Sequence, residues 1–427
     1  MRKLYRLLCE YIHLLKINPD RKKVYKKLYP NQSFDDLHLR HLCNYLLIAA
    51  EAYLIDSTQN QADCWHLLSI YRKRNLGKLF EHQYKKTLKR LEKSPLRHPE
   101  YFWQRYHIEK EYFEWEVIRG RSEKLNMEGQ EYWLHIASIG FKLRQACSSL
   151  AHQQLNNKMY DIPMLEVFLA EAKKTLYQKI PMIRIYTQAI DLYKQKDQDP
   201  NFEDFSKSIN ENIVIFPQVE ARDLLLSGIN FGIRAINRGH QASLAQTLAL
   251  YQKGLERDLF LENGQLTVFT YNNIAGIAIR LKEISWANHF INTYKSRLER
   301  KYRDTVYALN AARLAYAQQA YKQALELLKT TNDRDFIHHM SARILQLKIY
   351  IDTDDVDQTL KHIRNTLTYL KRRKHTAYHV QNYRNILSLT EAYCKLQIYD
   401  RKAVETWKKK VENTSPLTEK EWLLARF

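Results

Sequence analysis

The chain has 427 residues, and 45% of them are hydrophobic, which is enough to build a buried core and excludes global disorder. Its 10 glycines and 9 prolines are few for this length and argue against a fold made of many β-turns. A formal net charge of +21, concentrated towards the two ends of the chain, raises the chance of a nucleic-acid, anionic-membrane or acidic-protein partner.

Helices are predicted in succession along residues 1–200. An amphipathic helix over 2–17 is followed by a short basic helix, Arg21–Leu28. Ser33, with Asp36 three residues later, resembles a capping box and predicts a long helix that ends near residue 55. Further helices are predicted over residues 60–75, 77–93, 99–120, 127–156, 163–178 and 181–196.

The helix predicted over 99–120 is rich in aromatic residues and also carries a run of acidic ones. The acidic residues are Glu109, Glu111, Glu114 and Glu116. Paired carboxylates can perform acid–base catalysis where their pKa values are pushed apart. We prefer the simpler interpretation, in which the aromatic side of the helix faces the core and the acidic side faces solvent.

A proline-containing interval separates the two halves of the chain. Pro200 and Pro217 bracket a short predicted helix, 202–213, and a last amphipathic helix follows Pro416. We therefore divide the chain into an N-terminal helical region (1–200), a joint (201–217), helical hairpins (218–412) and a capping helix (413–427). Whether the first region is a separate domain or continues the same helical array stays open.

Small residues recur at a fixed spacing in the second half. The matching alanines are Ala275, Ala278 and Ala287 in one set and Ala312, Ala315 and Ala324 in the other, 37 residues later. Small side chains let two antiparallel helices approach closely, so whole helical hairpins are predicted to repeat. A weaker copy turns at 237–240, and a further hairpin spans 344–374 and turns at 352–355.

The segment 311–329 resembles a degenerate tetratricopeptide (TPR) repeat, and the resemblance extends over roughly the second half of the chain. It departs from that pattern at Ala308, where an aromatic residue is usual, and in having no closing proline. The resemblance implies an all-α fold, an α-solenoid of antiparallel helical hairpins, and we expect no β-sheet. It also implies a concave groove, formed by the first helix of each pair, in which polar and basic side chains bind a peptide through its acidic groups.

Under that resemblance, five polar residues beside the packing positions are predicted to line the groove. They are Asn272, Asn273, Arg280, Asn310 and Arg313. Asparagines can bond to peptide backbone and arginines can pair with carboxylates. We therefore predict a non-enzymatic scaffold that binds another protein or peptide, although any one of these residues could equally be solvated helix surface.

Basic clusters near the two ends support an alternative function, non-specific binding of RNA or DNA. The clusters are Arg21, Lys22, Lys23, Lys26 and Lys27 near the start, and Lys371, Arg372, Arg373 and Lys374 near the end. Phosphate contacts from such cations would make binding fall steeply with salt. Solvated helix surface explains the same clusters, and cations in a last helical turn are also favoured by the helix dipole.

No motif indicates a metal, a cofactor or a catalytic centre. His375 and His379 stand four residues apart, but two ligands do not make a metal site, and no glycine-rich phosphate loop or nucleophile elbow is present. The five cysteines have no paired spacing and predict reduced thiols: Cys9, Cys43, Cys64, Cys147 and Cys394. With neither a signal peptide nor a membrane span predicted, we expect a cytoplasmic protein.

Overall fold

The computed structural model describes residues 2–9, 20–62, 65–120, 125–156, 158–194, 202–330, 336–372, 377–397 and 399–426. Residues 10–17 of the first predicted helix lie outside these ranges, as do Cys64 and His375. The described residues are almost entirely helical and fall into two compact units, Met1–Thr187 with Val214–Pro217, and Gln188–Ile213 with Gln218–Phe427. No helix in these ranges is both long enough and apolar enough to cross a membrane.

The helices of the first unit agree closely with the prediction, and the bounds of the second, fifth and seventh match it. They are α1 (Arg2–Cys9), α2 (Arg21–Leu28), α3 (Asp36–Ala62), α4 (Trp65–Lys73), α5 (Gly77–Lys93), α6 (Pro99–Ile118), α7 (Met127–Asn156), α8 (Leu165–Ala172), α9 (Thr175–Gln178) and α10 (Pro181–Lys194), within which the division between units falls. The single helix predicted over 163–178 is two helices. The predicted cap Ser33 is wrong, because Asp35 accepts the His38 amide at 3.0 Å and its charge suits a helix N-terminus.

The acidic side of α6 packs against basic side chains, and our prediction that it faces solvent is wrong. Glu109, Glu111 and Glu116 are 7%, 6% and 2% exposed. Arg72 of α4 reaches Glu111 at 2.8 Å, and Arg105, one turn away on α6, reaches Glu109 at 2.9 Å. Arginine partners make the burial of these carboxylates tolerable, and nothing local in the sequence of α6 reveals the helix that covers them.

The second unit is a succession of packed helix pairs. Its helices are α11 (Phe202–Asn212), α12 (Gln218–Asn237), α13 (Ser243–Glu256), α14 (Val268–Arg280), α15 (Ile284–Tyr294), α16 (Arg303–Ala317), α17 (Tyr321–Lys329), α18 (Phe336–Asp352), α19 (Val356–Arg372), α20 (Ala377–Cys394), α21 (Arg401–Asn413) and α22 (Lys420–Leu424). Each of α12, α14, α16, α18 and α20 packs on the helix that follows it, and α16 also packs on both α14 and α18. The helix pairs lie where the alanine pattern predicts them.

Successive helix pairs turn in the same way. Lys282 and Gln319, 37 residues apart, have left-handed backbone with φ of 63° and 60°. The amides that follow them bond back to the carbonyls of Ala278 and Ala315 at 3.0 and 2.9 Å, which is the Schellman arrangement. Asp354 repeats it 35 residues later, inside the predicted turn at 352–355. The turn therefore repeats with the spacing of the small residues.

A two-stranded antiparallel ladder joins Leu261–Glu262 to Gln265–Leu266, where we expected no β-sheet. Asn263 and Gly264 form its turn, with φ of 52° and 78°. An Asn-Gly pair readily adopts positive φ at both central positions and is a strong hairpin signal. That signal is present in the sequence, and the helical periodicity on either side of it led us to overlook it.

Candidate functional site

The surface that carries the predicted binding residues is formed by α14, α16, α18 and α20, each the first helix of a pair. We call it the first-helix face. Its interior joins three of these helices: Asn310 Nδ2 donates to Asn272 Oδ1 at 2.6 Å, and the Asn272 amide nitrogen lies 2.9 Å from His338 Nε2. Arg313 donates to Asn310 Oδ1 at 3.2 Å. Three of the five polar positions predicted from sequence, Asn272, Asn310 and Arg313, therefore belong to one network.

The same network shows that Asn310 lies beneath the surface and not on it. Asn310 is 0% exposed and also donates to the Val306 carbonyl at 2.8 Å, so its polar atoms are used within the fold. Asn273 points the other way and donates to Tyr251 at 3.4 Å. These asparagines connect helices. They are not arranged to take up a peptide.

The first-helix face is occupied by residues 416–426 of the same chain, which include α22. Glu419 accepts from Lys348 Nζ of α18 at 2.7 Å, and Lys348 is only 13% exposed there. Burial lowers the pKa of the Arg313 guanidinium, and the negative charge of Glu419 opposes that shift. One carboxylate of the segment therefore compensates two partly desolvated cations of the face.

A second carboxylate of the segment reaches the other end of the face. Glu421 accepts two hydrogen bonds from Gln241 Nε2, at 3.0 and 3.1 Å, and lies 3.6 Å from Arg280 Nη2. Arg280 in turn donates to Gln241 Oε1 at 3.3 Å. Of the five residues predicted to line a groove, Arg280 is the one that forms an ion pair with a carboxylate, that of Glu421.

Two asparagines of α20 hold the backbone of the segment. Asn382 Oδ1 accepts the Thr418 amide at 2.6 Å, and Asn385 Nδ2 donates to the Pro416 carbonyl at 2.8 Å. Such contacts depend on backbone position and not on side-chain identity. Sequence reasoning missed both residues, although their spacing of three on one helix places them on one side of it.

The far end of the segment is fixed by charge and apolar burial together. Arg426 pairs with Asp352 of α18 at 2.5 Å, and Asp352 also accepts from the Tyr316 hydroxyl. Leu423 is 1% exposed within the core cluster that includes residues of α18, α20 and α21. The segment thus contacts α14, α18 and α20. That it caps the end of the helical array stays a prediction.

A separate polar cavity of about 200 Å³ lies between α18 and α19. Arg343 donates to His339 Nε2 at 2.7 Å, and His362 Nε2 donates to the Arg343 carbonyl at 2.9 Å. Burial lowers the pKa of His362 to about 4. The hydrogen bond that His362 donates to the Arg343 carbonyl opposes this shift, and the positive charge of the Arg343 side chain adds to it. His362 is therefore neutral at pH 7.

The described members of the basic clusters are exposed. Arg21, Lys22, Lys23, Lys26 and Lys27 cover the outside of α2, where Arg21 lies 3.2 Å from Asp36. Lys371 and Arg372 are exposed at the end of α19, while Arg373 and Lys374 lie outside the described residues. Neither cluster belongs to the first-helix face.

Comparisons with known proteins give no match: no family model, no curated protein and no solved structure is similar to this chain.

Proposed function

We propose that this protein is a non-enzymatic scaffold, built as a TPR-like α-solenoid, that binds a segment of a partner protein on its first-helix face. The observation that carries the proposal is that this face already holds a polypeptide segment, residues 416–426, through side chains of successive helix pairs. Lys348 and Arg280 contact its carboxylates, and Asn382 and Asn385 contact its backbone. These are the contact types by which helical-repeat grooves bind extended peptides.

The repeated geometry supports the solenoid part of the proposal. Lys348 follows Arg313 by 35 residues, and the turn residue Asp354 follows Gln319 by the same 35. Equivalent positions of neighbouring pairs therefore present cations to the same side. Stacked helix pairs in a solenoid produce this kind of regular surface, and it suits an extended acidic ligand.

A peptide-display selection tests the proposal. The immobilised full chain is exposed to a library of random 16-residue peptides, in parallel with a face variant, Arg280→Glu with Lys348→Glu. A matched control, Lys322→Glu with Lys402→Glu, makes the same charge change at exposed positions of α17 and α21. We expect acidic peptides to be enriched by the wild type and the control but not by the face variant, with all three equally helical by circular dichroism.

The selection contradicts the proposal if the face variant enriches the same peptides as the wild type, or if no chain enriches any. The exposed cations of α2 favour the second function, binding of nucleic acid. That function predicts capture of a labelled single-stranded oligonucleotide with a steep salt dependence, and loss of capture in Lys22→Glu with Lys26→Glu. Capture that is unaffected by these two substitutions removes α2 as the nucleic-acid surface.

A further inference from the structure

We infer that residues 416–426 are an intramolecular ligand of the first-helix face, and that the partner is an acidic peptide with an aromatic residue that takes their place. The inference rests on the proposed function and adds to it the chemistry of the partner and a mechanism of regulation. The sequence around the contacts reads Glu419-Lys420-Glu421-Trp422. Two carboxylates two residues apart, followed by an aromatic ring, are the features that the face recognises.

The cations of the face favour carboxylates where Glu419 and Glu421 lie. Lys348 is 13% exposed and pairs with Glu419 at 2.7 Å, and Glu419 also acts electrostatically on the partly desolvated Arg313, so removal of this carboxylate takes a favourable negative charge from both cations. A cation withdrawn from water is costly unless an anion or hydrogen-bond acceptor lies beside it. Departure of the segment therefore favours entry of another carboxylate, and a neutral or basic peptide does not compensate these side chains.

An aromatic side chain is favoured by Lys348, the cation of the face that lies beside Trp422, whereas the second cation beside this ring, Arg426, belongs to the segment itself. Lys348 Nζ lies 5.5 Å from the centre of the Trp422 ring and Arg426 Cζ lies 4.9 Å from it. Lys348 Nζ also lies 5.0 Å from the ring of Tyr316, on α16. An aromatic ring beside the acidic pair attracts the same ammonium group through its π face. Glu419 and Trp422 thus converge on Lys348.

The two carboxylate contacts of the segment are individually weak. Glu421 is 65% exposed and Glu419 is 39% exposed, so water screens both charge contacts. Glu419 also has left-handed backbone, with φ of 55°, which is unfavourable for a residue with a side chain and weakens the bound form about five- to thirtyfold. A partner peptide that does not adopt left-handed backbone at this position contacts the same side chains without that free-energy penalty.

Binding of a synthetic peptide that spans residues 414–427, labelled with fluorescein, tests the inference by anisotropy on the full chain. The opened variant is Glu419→Gln with Glu421→Gln, which leaves the side chain of Leu423 unchanged. We expect it to bind the peptide about tenfold more tightly than the wild type, because two charge contacts no longer hold the intramolecular segment. Lys348→Gln added to the opened variant should remove most of this binding. The matched control, Glu405→Gln with Glu412→Gln on α21, should bind like the wild type.

Amide hydrogen exchange of the opened variant, measured with saturating peptide, identifies which residues lose protection when the peptide binds. We expect residues 417–426 to lose protection while α14, α16 and α18 keep theirs. Peptide binding with residues 417–426 still protected overturns the intramolecular-ligand inference but leaves the scaffold proposal standing. No binding to a folded opened variant also overturns the inference, while the display selection judges the scaffold proposal separately. Displacement by an oligonucleotide and not by the peptide shows that the occupant is a nucleic acid, which contradicts the inference.

Discussion

The two units each contain a cluster of paired charges, and the two clusters are built differently. In the first unit, Arg72 joins α4 to Glu111 and Glu114 of α6. The side chains of Arg72 and Glu111 are nearly buried, with 13% and 8% of their surface exposed. In the second unit, Lys348 and Arg280 pair with Glu419 and Glu421, which are 39% and 65% exposed and belong to a short separate segment. One cluster is enclosed between the two helices α4 and α6, and the other is open to solvent on one side.

This difference separates a structural role from the binding role proposed above. Glu111 cannot leave Arg72 without unfolding α6, so the pair acts as part of the core. Although burial opposes it, the carboxylates of Glu111 and Glu114 raise the pKa of Arg72 and keep the guanidinium charged. Glu419 and Glu421 can leave the first-helix face together by movement of one segment. Charges that can be exchanged without unfolding a helix are suited to recognition.

Removal of one cation from each cluster tests most directly whether the two clusters differ in their contribution to stability. Arg72→Met leaves the Glu111 carboxylate buried without its partner and should lower the free energy of unfolding of the first unit by about 3–5 kcal/mol. Lys348→Met leaves a carboxylate that water already reaches, so we expect a loss of about 1 kcal/mol in the second unit. Urea unfolding measures both changes.

Arg74→Met, at an exposed position just after α4, is the matched control and should change stability by no more than about 0.5 kcal/mol. Equal losses in the free energy of unfolding for Arg72→Met and Lys348→Met would show that both clusters contribute to stability in the same way.

Acid should destabilise the two units in different pH ranges. The folded pKa of His362, about 4, lies below the ordinary value of 6.5, because burial and Arg343 disfavour the charged form. The stability that neutral His362 contributes to the second unit is therefore complete above pH 6.5 and is lost as the pH falls towards 4. We expect this loss to be about 2–3 kcal/mol. Unfolding measured from pH 7 to 4 follows it, and His362→Gln should remove the slope in this range.

The first unit should respond at lower pH. Burial opposes ionisation of Glu100, but hydrogen bonds with His98 and Arg144 lower the pKa of its carboxyl group to about 2. That contribution is complete above the ordinary value of 4.5 and is lost as the pH falls towards 2. Glu100 is 37% exposed, so the effect is smaller than the pKa alone implies. A first unit that unfolds before the second between pH 6.5 and 4.5 would contradict this order.

The smallest expected effects concern the left-handed turns that both units use. Lys282→Gly in the second unit removes an unfavourable backbone conformation at an exposed site and should stabilise that unit by up to about 1 kcal/mol. Asn75→Gly in the first unit should gain less, because asparagine already tolerates positive φ. Thermal unfolding of the two variants and the parent measures both changes. A larger gain at Asn75 would show that contacts outside the turn dominate.

Local patterns in the sequence predicted most of the fold. Ala275 and Ala312 are both fully buried, because small residues at helical spacing specify where helices approach one another. The burial of Glu111 was not predictable, since the pattern of α6 shows an acidic face but not the helix that covers it. The Asn263–Gly264 turn carried a recognisable signal that we overlooked.

The site was predicted less completely than the fold. Arg280 and Arg313 were named from sequence, but Asn310 proved to be buried, and Lys348, Asn382 and Asn385 were missed. A polar residue beside a helix-packing position can lie beneath the surface or on it, and one-dimensional spacing does not distinguish the two. The approach of residues 416–426 depends on contacts as distant as Gln241, which lies 180 residues before Glu421. No local pattern encodes such a contact.

The order of the chain has a consequence for synthesis. Lys348 precedes Glu419 by 71 residues. At ordinary translation rates the ribosome therefore adds Glu419 about 4–14 s after Lys348. During that interval α14, α16 and α18 are already complete, and their charged face has no intramolecular occupant. If the face binds a partner as proposed above, a partner present at the ribosome would meet a surface without that occupant, whereas one that arrives afterwards would compete with residues 416–426. Under that proposal, the time of encounter helps to determine which complexes form.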